Sequence, residues 1–329
     1  MKTFGLILLL ININKFGFAQ TFYSKNPLVA TYSIVAQDPE TGEMGVAVQS
    51  HWFSVGSIVS WGEAGVGVVA TQSFVNPAFG PDGLELLKSG MTADQVVDKL
   101  IADDDGRDVR QLAVLDVNGN VKSYTGKNCI PGAGNIVGEN YSVQANLMLN
   151  DKVPDAMSKA FEESTGTLAE RLMAALFAAQ EVGGDIRGKQ SAAILIVSGK
   201  STGQVWKDRL IDLRVEDSPY PIAELDRLLK VHRAYDHMNA GDLAVEHGDM
   251  KLAMEEYSAA EAMFPENEEM KFWHAVTLAT NGNLEASLPL FKDVFQKNEN
   301  WEILTPRLMP IGLLNISEAE LQKILAVNE

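Results

Sequence analysis

Residues 31–50 read TYSIVAQDPETGEMGVAVQS and predict two antiparallel strands joined by a turn. β-Branched and aromatic side chains dominate 31–35, and the extended pattern resumes over 44–48. The stretch 38–42 (DPETG) between them consists of turn-forming residues. A third apolar, glycine-rich run at 65–73 (GVGVVATQS) predicts another strand, expected to join the same sheet. This part of the chain therefore builds a β-sheet that begins at Thr31.

Thr31 is the residue of this stretch that could act as a nucleophile. A threonine at a free chain end carries its own general base, because its α-amine can take the hydroxyl proton during attack on a carbonyl. An internal threonine has no such amine. Whether the chain is cut between Ala30 and Thr31 therefore decides between an amide-bond hydrolase and an ordinary β-protein. The residues by themselves leave both interpretations open.

The first 19 residues have the pattern of a secretory signal peptide. Lys2 precedes an apolar stretch at 4–13, and 17–19 (GFA) offers small residues for a signal peptidase. We therefore expect an exported protein, periplasmic or extracellular, with 20–30 as a pro-segment or N-terminal extension. Because Ala30 lies 17 residues beyond Ile13, a cut before Thr31 needs a second event. That event is self-cleavage by the Thr31 hydroxyl or trimming by another protease.

Composition excludes several classes of partner and cofactor. The 329 residues carry a formal charge of -17, so no basic surface is expected to bind a nucleic-acid backbone. No run after the signal peptide reaches the roughly 20 apolar residues of a membrane span. His51 is the only histidine in 31–216, and Cys129 is the only cysteine of the chain, so we predict no metal and no cofactor.

Strands and helices alternate through the rest of 31–216. Capping boxes at Thr92 and Thr167 each predict the start of an amphipathic helix. An Asn-Gly pair at 118–119 predicts a hairpin. The remaining segments are predicted helices at 81–89 and 154–163 and predicted strands at 141–147 and 191–197. This alternation predicts stacked sheets with helices outside.

One series of short motifs carries a family resemblance. In chain order the motifs are 31–36 (TYSIVA), 69–72 (VATQ), 76–77 (NP), Gly80 with 83–84 (GL), 110–112 (RQL), 125–126 (TG), 144–146 (QAN), 169–172 (AERL) and 183–193 (GGDIRGKQSAA). The series resembles the bacterial family named domain of unknown function 1028, which is placed in the N-terminal nucleophile (Ntn) hydrolase superfamily. The resemblance implies an α+β fold, a four-layer αββα sandwich over 31–216. It supplies no substrate.

The resemblance also implies roles for five residues. Thr31 matches the superfamily's nucleophile, and Ser33, two residues on and on the same strand face, is a second candidate. Ser50 resembles the position of an acidic residue that orients such sites. Asp185 and Ser191 resemble the Asp and Ser that hydrogen-bond the terminal amine. The lysine of proteasome-like members has no counterpart, since no lysine lies between residues 25 and 88.

Four more residues are candidates for binding a small amide or peptide substrate. Thr71, Gln72 and Asn146 are polar residues within apolar strands, where they must find buried partners or line a pocket. Arg187 follows Asp185 in a glycine-rich loop, and the two form either a structural salt bridge or part of the site. The backbone of 65–67 and the amide of Asn146 are candidate oxyanion donors.

Residues 217–329 have a different character and predict an all-α domain. A linker at 218–221 (SPYP) opens it, and Gly248 and Gly282 recur 34 residues apart, as do Tyr257 and Phe291. This period resembles the tetratricopeptide repeat, a helix-turn-helix unit, and implies a protein partner. Alternatively the helices stabilise a dimer, and a homo-oligomer is expected in either case.

Two functions therefore remain open. The first is an exported amidohydrolase of unknown substrate that acts through Thr31. The second is a non-catalytic envelope protein that binds a partner through its helical repeats.

Overall fold

The computed structural model describes residues 27–328. The predicted signal peptide and residues 20–26 of the predicted extension lie outside the described residues. The described residues divide into two compact units, with the boundary between Asp226 and Arg227. The first is mixed α and β, and the second is helical, as the sequence predicts.

Eleven strands are described, all in the first unit. In chain order they are β1 (Leu28–Val29), β2 (Thr31–Gln37), β3 (Met44–Ser50), β4 (Ser60–Glu63), β5 (Gly67–Phe74), β6 (Arg110–Asp116), β7 (Val121–Thr125), β8 (Gly134–Gly138), β9 (Tyr141–Ala145), β10 (Ser191–Val197) and β11 (Arg209–Val215).

Twelve α-helices are described in the two units. They are α1 (Gly56–Val59), α2 (Phe79–Lys88), α3 (Ala93–Ala102), α4 (Val153–Glu163), α5 (Leu168–Glu181), α6 (Val205–Asp208), α7 (Pro221–Glu246), α8 (Met250–Met263), α9 (Glu268–Thr280), α10 (Leu284–Lys297), α11 (Asn300–Leu304) and α12 (Glu318–Leu325). Short 3-10 turns cover Arg107–Val109, Thr305–Leu308 and Ala326–Asn328.

The strands form two antiparallel sheets. One sheet has the order β11-β10-β3-β2-β9-β8, and the other runs β1-β5-β6-β7 with β4 also paired to β5. The expectation that 65–73 joins the sheet of β2 and β3 is therefore wrong, because this run forms β5 in the other sheet. Both edges of β2 and of β3 are already occupied, by β9 and β3 and by β2 and β10, so neither can accept a further strand.

Apolar side chains pack between the two sheets, and others pack between each sheet and the helices on its outer face. Val35, Val46 and Leu195 from one sheet share a buried core with residues of β5 and β6. On the outer faces, a Cβ added at Gly45 of β3 would meet Leu172 of α5 at 2.8 Å, and one at Gly83 of α2 would meet Val69 of β5 at 3.2 Å. Helices therefore pack closely against the face of each sheet that points away from the other.

The predicted capping boxes are both present. Thr92 caps α3 with Gln95, and Thr167 caps α5 with Glu170. Strands β1, β4, β8 and β11 are additional to the predicted set. β8 has the glycine-flanked sequence GNIVG, and β11 has the charge-rich sequence RLIDLRV, so local propensity is weak in both and pairing with a neighbour determines them.

In the helical unit, the two glycines of the predicted repeat both follow a helix. Gly248 and Gly282 adopt φ of +74° and +78°, a left-handed conformation that ends a helix at little cost in glycine. Tyr257 of α8 and Phe291 of α10 are buried. Over residues 27–328, no helix combines the length and apolarity that crossing a membrane requires.

Candidate functional site

Three hydroxyl side chains lie in one row across the ends of neighbouring strands. Thr31 of β2 pairs with Ser50 of β3, and Ser50 pairs with Ser191 of β10. Side chains at paired positions share a face, and Thr31 shares the face of Val35, which belongs to the core between the sheets. The row therefore points toward the second sheet.

The chain is continuous through Thr31, and the preceding residues are built into the fold. β1 pairs with β5, with Leu28 opposite Phe74 and Val29 opposite Ser73. The residues Val29, Ala30 and Thr31 are all 0% exposed. The Thr31 hydroxyl donates a hydrogen bond to the Val29 carbonyl at 2.8 Å. In this state the α-nitrogen of Thr31 belongs to a peptide bond and no free amine exists.

The carbonyl of Ala30, which precedes Thr31, accepts hydrogen bonds from two side chains. The Ser50 hydroxyl donates to it at 2.5 Å, and Nη2 of Arg187 donates at 2.8 Å. Both donors draw electron density from the oxygen, and the guanidinium adds a positive charge. The peptide bond between Ala30 and Thr31 therefore has a polarised carbonyl on one side and a hydroxyl on the other.

Asp185 holds Arg187 in position. Nε of Arg187 donates to Oδ1 of Asp185 at 3.0 Å, and Nη2 donates to Oδ2 at 2.7 Å, a bidentate pair. The amide of His51 donates to the same carboxylate at 3.1 Å. The Asp185 side chain is 0% exposed and that of Arg187 is 28% exposed. Burial, together with the Asp185 charge, raises the pKa of the Tyr32 phenol well above its ordinary value.

The Ser191 hydroxyl makes hydrogen bonds to the turn that follows β3. It donates to the carbonyl of Trp52 and accepts from the amide of Val55 at 3.1 Å. With the chain continuous, the contacts of Asp185 and Ser191 go to Arg187, to His51 and to this turn. Their predicted bonds to a terminal amine stay predictions for a processed chain.

Behind Thr31, a network of buried amide side chains connects the two sheets. The Thr31 carbonyl accepts from the backbone N–H of Asn146 at 3.0 Å and from Nε2 of Gln72 at 3.3 Å. Ser33 donates to Oε1 of Gln72 at 2.7 Å and accepts from Nε2 of Gln144 at 2.6 Å. The hydroxyl of Ser33 is thus enclosed between amides, whereas that of Thr31 lies beside a peptide bond.

Gln111 is the centre of this network and is not among the residues predicted from the sequence. Its Oε1 accepts from Gln72 at 2.6 Å and from Nδ2 of Asn146 at 2.9 Å. Its Nε2 donates to the Thr125 hydroxyl at 2.8 Å and to the Ala145 carbonyl at 2.9 Å. The available signal was a glutamine inside the apolar strand sequence RQLAVLD, the same pattern that singled out Gln72.

Two predicted elements of the site lie elsewhere. Thr71 points to the opposite face of β5 from Gln72, and its hydroxyl donates to the Asn76 carbonyl at 3.2 Å. The expectation that 65–67 supplies an oxyanion donor is wrong, because Gly67 pairs with Asp116 at the other end of β5. Five residues of strand, roughly 17 Å, separate Gly67 from Gln72.

Two surface pockets formed by residues 27–328 have linings that include none of Thr31, Ser50 and Arg187. One, of about 430 Å³, lies beside α2 and α3, and the other, of about 300 Å³, lies beside β4 and β11. Within the same residues, no group of three or more histidine, cysteine or acidic side chains is arranged to hold a metal ion.

A buried ion pair supports the strand end on which β1 pairs. Arg110 donates from Nε to Asp104 at 2.6 Å and also donates to the carbonyl of Phe74. Burial alone would raise the pKa of Asp104, but the bonds from Arg110 and from the amide of Gly106 outweigh it and lower the pKa below its ordinary value.

The pH dependence of this ion pair follows from the direction of the shift. A depressed carboxyl pKa contributes stability above the unfolded-state value, and that stability is lost as the pH falls through the folded-state value. We expect the stability difference between wild type and Asp104→Asn to be constant from pH 5 to 7 and to shrink below about pH 4. Urea midpoints across this range test it, and a difference that stays unchanged to pH 2 contradicts it.

Comparison with known proteins agrees with the resemblance read from the motifs. The model of a family of unknown function, DUF1028, matches residues 31–225. The crystal structure of protein SPO2555 from Silicibacter pomeroyi, described with the same family, is similar with a TM-score of 0.56 and 32% identity, over 61% of this chain and 85% of that one. No curated protein matches. The chain therefore belongs to the DUF1028 family of unknown function.

Proposed function

We propose that this protein is an exported amide-bond hydrolase of the N-terminal nucleophile type, in which cleavage of the Ala30–Thr31 peptide frees Thr31 as the nucleophile. Helices packed outside two face-to-face sheets support the four-layer αββα sandwich of that superfamily. The family match starts at residue 31, the residue that would become the chain end. A likeness of fold leaves the chemistry to be argued from the site.

The observation that carries the proposal is the pair of donors on the Ala30 carbonyl. Attack on a carbonyl places negative charge on its oxygen, and fixed donors aimed at that oxygen lower the barrier. Ser50 and Arg187 already contact it, at 2.5 and 2.8 Å. A buried carbonyl needs a hydrogen-bond donor, but one neutral donor would satisfy it, so a second donor that carries a positive charge supports a role in cleavage.

Self-cleavage would proceed in two balanced steps. The Thr31 hydroxyl oxygen forms a bond to the Ala30 carbonyl carbon, the C–N bond of that peptide breaks, and the departing nitrogen takes up the hydroxyl proton as the new α-amine. Water then hydrolyses the resulting ester. The products are a carboxylate at Ala30 and a free hydroxyl and amine at Thr31.

The processed site would use the same residues on a second amide. The new amine takes the hydroxyl proton of Thr31, and the carbonyl of the substrate occupies the position vacated by the Ala30 carbonyl, facing Ser50 and Arg187. Asp185 keeps the guanidinium oriented. In this state Asp185 and Ser191 are also the proposed partners of the amine. Gln72 and Asn146 position Thr31 through their hydrogen bonds to its carbonyl.

A second candidate function is a non-catalytic envelope protein that binds a partner, or a second copy, through tetratricopeptide-like repeats. The equivalent positions of Gly248 and Gly282, each before a helix that buries an aromatic residue, favour it. This function requires no cut at Ala30. It predicts an intact segment ahead of Thr31 and a complex that survives replacement of Thr31.

Intact mass of the exported protein distinguishes the two functions. We expect wild type to begin at Thr31, Thr31→Ala to retain the preceding residues, and Thr31→Ser, which keeps a hydroxyl, to be cut. Ser33→Ala is the matched control and should be cut like wild type, since the Ser33 hydroxyl is enclosed by Gln72 and Gln144. A wild-type chain that keeps residues 20–30 would contradict the hydrolase, and cutting of Thr31→Ala would show that another protease acts.

A further inference from the structure

We propose that residues 27–30 occupy the acyl-side binding subsites of the mature enzyme, so that its substrate is an extended peptide cleaved after a small residue preceded by a branched apolar one. This inference rests on the proposed function, because it takes the Ala30–Thr31 bond as the first amide cleaved. In the precursor and in a substrate complex the Thr31 hydroxyl would attack a carbonyl that faces Ser50 and Arg187, so the residues preceding that carbonyl would occupy the same space in both.

The backbone of this segment is held as an added strand. Leu28 and Val29 pair with Phe74 and Ser73 at the end of β5, and the amide of Val75 donates to the Pro27 carbonyl at 3.0 Å. Release of 27–30 would leave these positions of β5 without their strand partner. An unpaired strand edge is a ready template for an extended peptide, and its hydrogen bonds are independent of the side chains of the guest.

The side chains of the segment define what the subsites accept. Val29 is 0% exposed and belongs to the apolar core between the sheets, so its departure would open an apolar cavity lined by core residues. Ala30 is 0% exposed, and a larger side chain there would have no solvent to extend into. Leu28 is only half-buried. Selectivity should therefore be strict at the two residues nearest the cleaved bond and weaker beyond them.

Charge at the site favours a peptide product with a free carboxylate. Cleavage converts the Ala30 carbonyl, which already accepts from Arg187, into a carboxylate beside the same guanidinium. A carboxylate adds the attraction between opposite charges, which a neutral carbonyl acceptor lacks. The processed enzyme should therefore bind the peptide acetyl-Pro-Leu-Val-Ala through its free C-terminal carboxylate.

The test uses processed wild-type protein, so no variant needs to fold. Calorimetry measures binding of acetyl-Pro-Leu-Val-Ala and of the matched peptides acetyl-Pro-Leu-Asp-Ala and acetyl-Pro-Leu-Val-Phe. Hydrolysis of the aminocoumarin amides of the same three peptides, and of acetyl-Ala, is the second measurement. We expect the first peptide to bind and its amide to be hydrolysed about tenfold or more better than the others, as is usual when a buried apolar group is lost or oversized.

The outcomes separate this inference from the function on which it rests. Equal binding of the three peptides, or none at about 1 mM, would overturn the inference while a chain beginning at Thr31 leaves self-cleavage standing. Hydrolysis of acetyl-Ala amide as fast as of the longer peptide would also overturn it, since β5 would then contribute nothing. A wild-type chain that keeps residues 20–30 overturns both.

Discussion

Replacing Arg187 with methionine should slow self-cleavage at Ala30–Thr31 by about 10²- to 10³-fold, the usual loss when one donor to a developing oxyanion is removed. Methionine keeps the apolar length of the side chain but loses both the hydrogen bond to the Ala30 carbonyl and the positive charge. Arg187→Lys keeps the charge but loses the bidentate geometry on Asp185, so its rate of self-cleavage should lie between those of wild type and Arg187→Met. The rate is measured from the masses of precursor and product over time after refolding.

Loss of the ion pair leaves the Asp185 carboxylate buried without its partner, so stability must be followed beside the rate. Arg187→Met with Asp185→Asn removes that buried charge and should restore stability without restoring cleavage. Arg209→Met is the matched control, since this arginine lies on β11 in a half-exposed pair with Asp212. Cleavage of Arg187→Met at the wild-type rate in a folded protein would contradict the role assigned to the guanidinium.

Replacing Gln111 with leucine should lower the free energy of unfolding of the first unit by about 2 to 6 kcal/mol. The estimate counts two buried amide donors left without an acceptor, at about 1 to 3 kcal/mol each. Leucine has a similar volume, so the loss reports hydrogen bonding more than packing. Gln72 and Asn146 would lose their shared acceptor, and the Thr125 hydroxyl and the Ala145 carbonyl would lose a donor. Urea denaturation followed by circular dichroism measures the change.

Gln190→Leu is the control for this substitution. The Gln190 side chain makes an exposed hydrogen bond to Asp217 at 3.1 Å, so its replacement should change stability by less than about 0.5 kcal/mol. Equal effects of the two substitutions would show that the amide network contributes little. A large loss at Gln111 that also slows cleavage would connect the network to Thr31 through Gln72 and the Thr31 carbonyl.

The candidate site divides into residues that sequence could find and residues it could not. Thr31 and Arg187 were predicted because one begins a strand and the other follows an acid in a glycine-rich loop. The contact of Arg187 with the Ala30 carbonyl was beyond prediction, because 157 residues separate the two partners. Gln111 has the same local pattern as Gln72, a glutamine inside an apolar strand, but its central place was beyond prediction because its partners come from four other strands, β5, β7, β8 and β9.

The sequence alone determined the alternation of strands and helices, the capped starts of α3 and α5, the helical character of the second unit and the family. Each of these depends on side-chain periodicity or on neighbours a few residues apart in the chain. Only the tertiary structure decided that 65–73 lies in the opposite sheet, that residues 28–29 form a strand on β5, and that Ser50 and Arg187 converge on one carbonyl. Strand pairing across sheets depends on which edges remain free after the others have paired, and no local pattern encodes that competition.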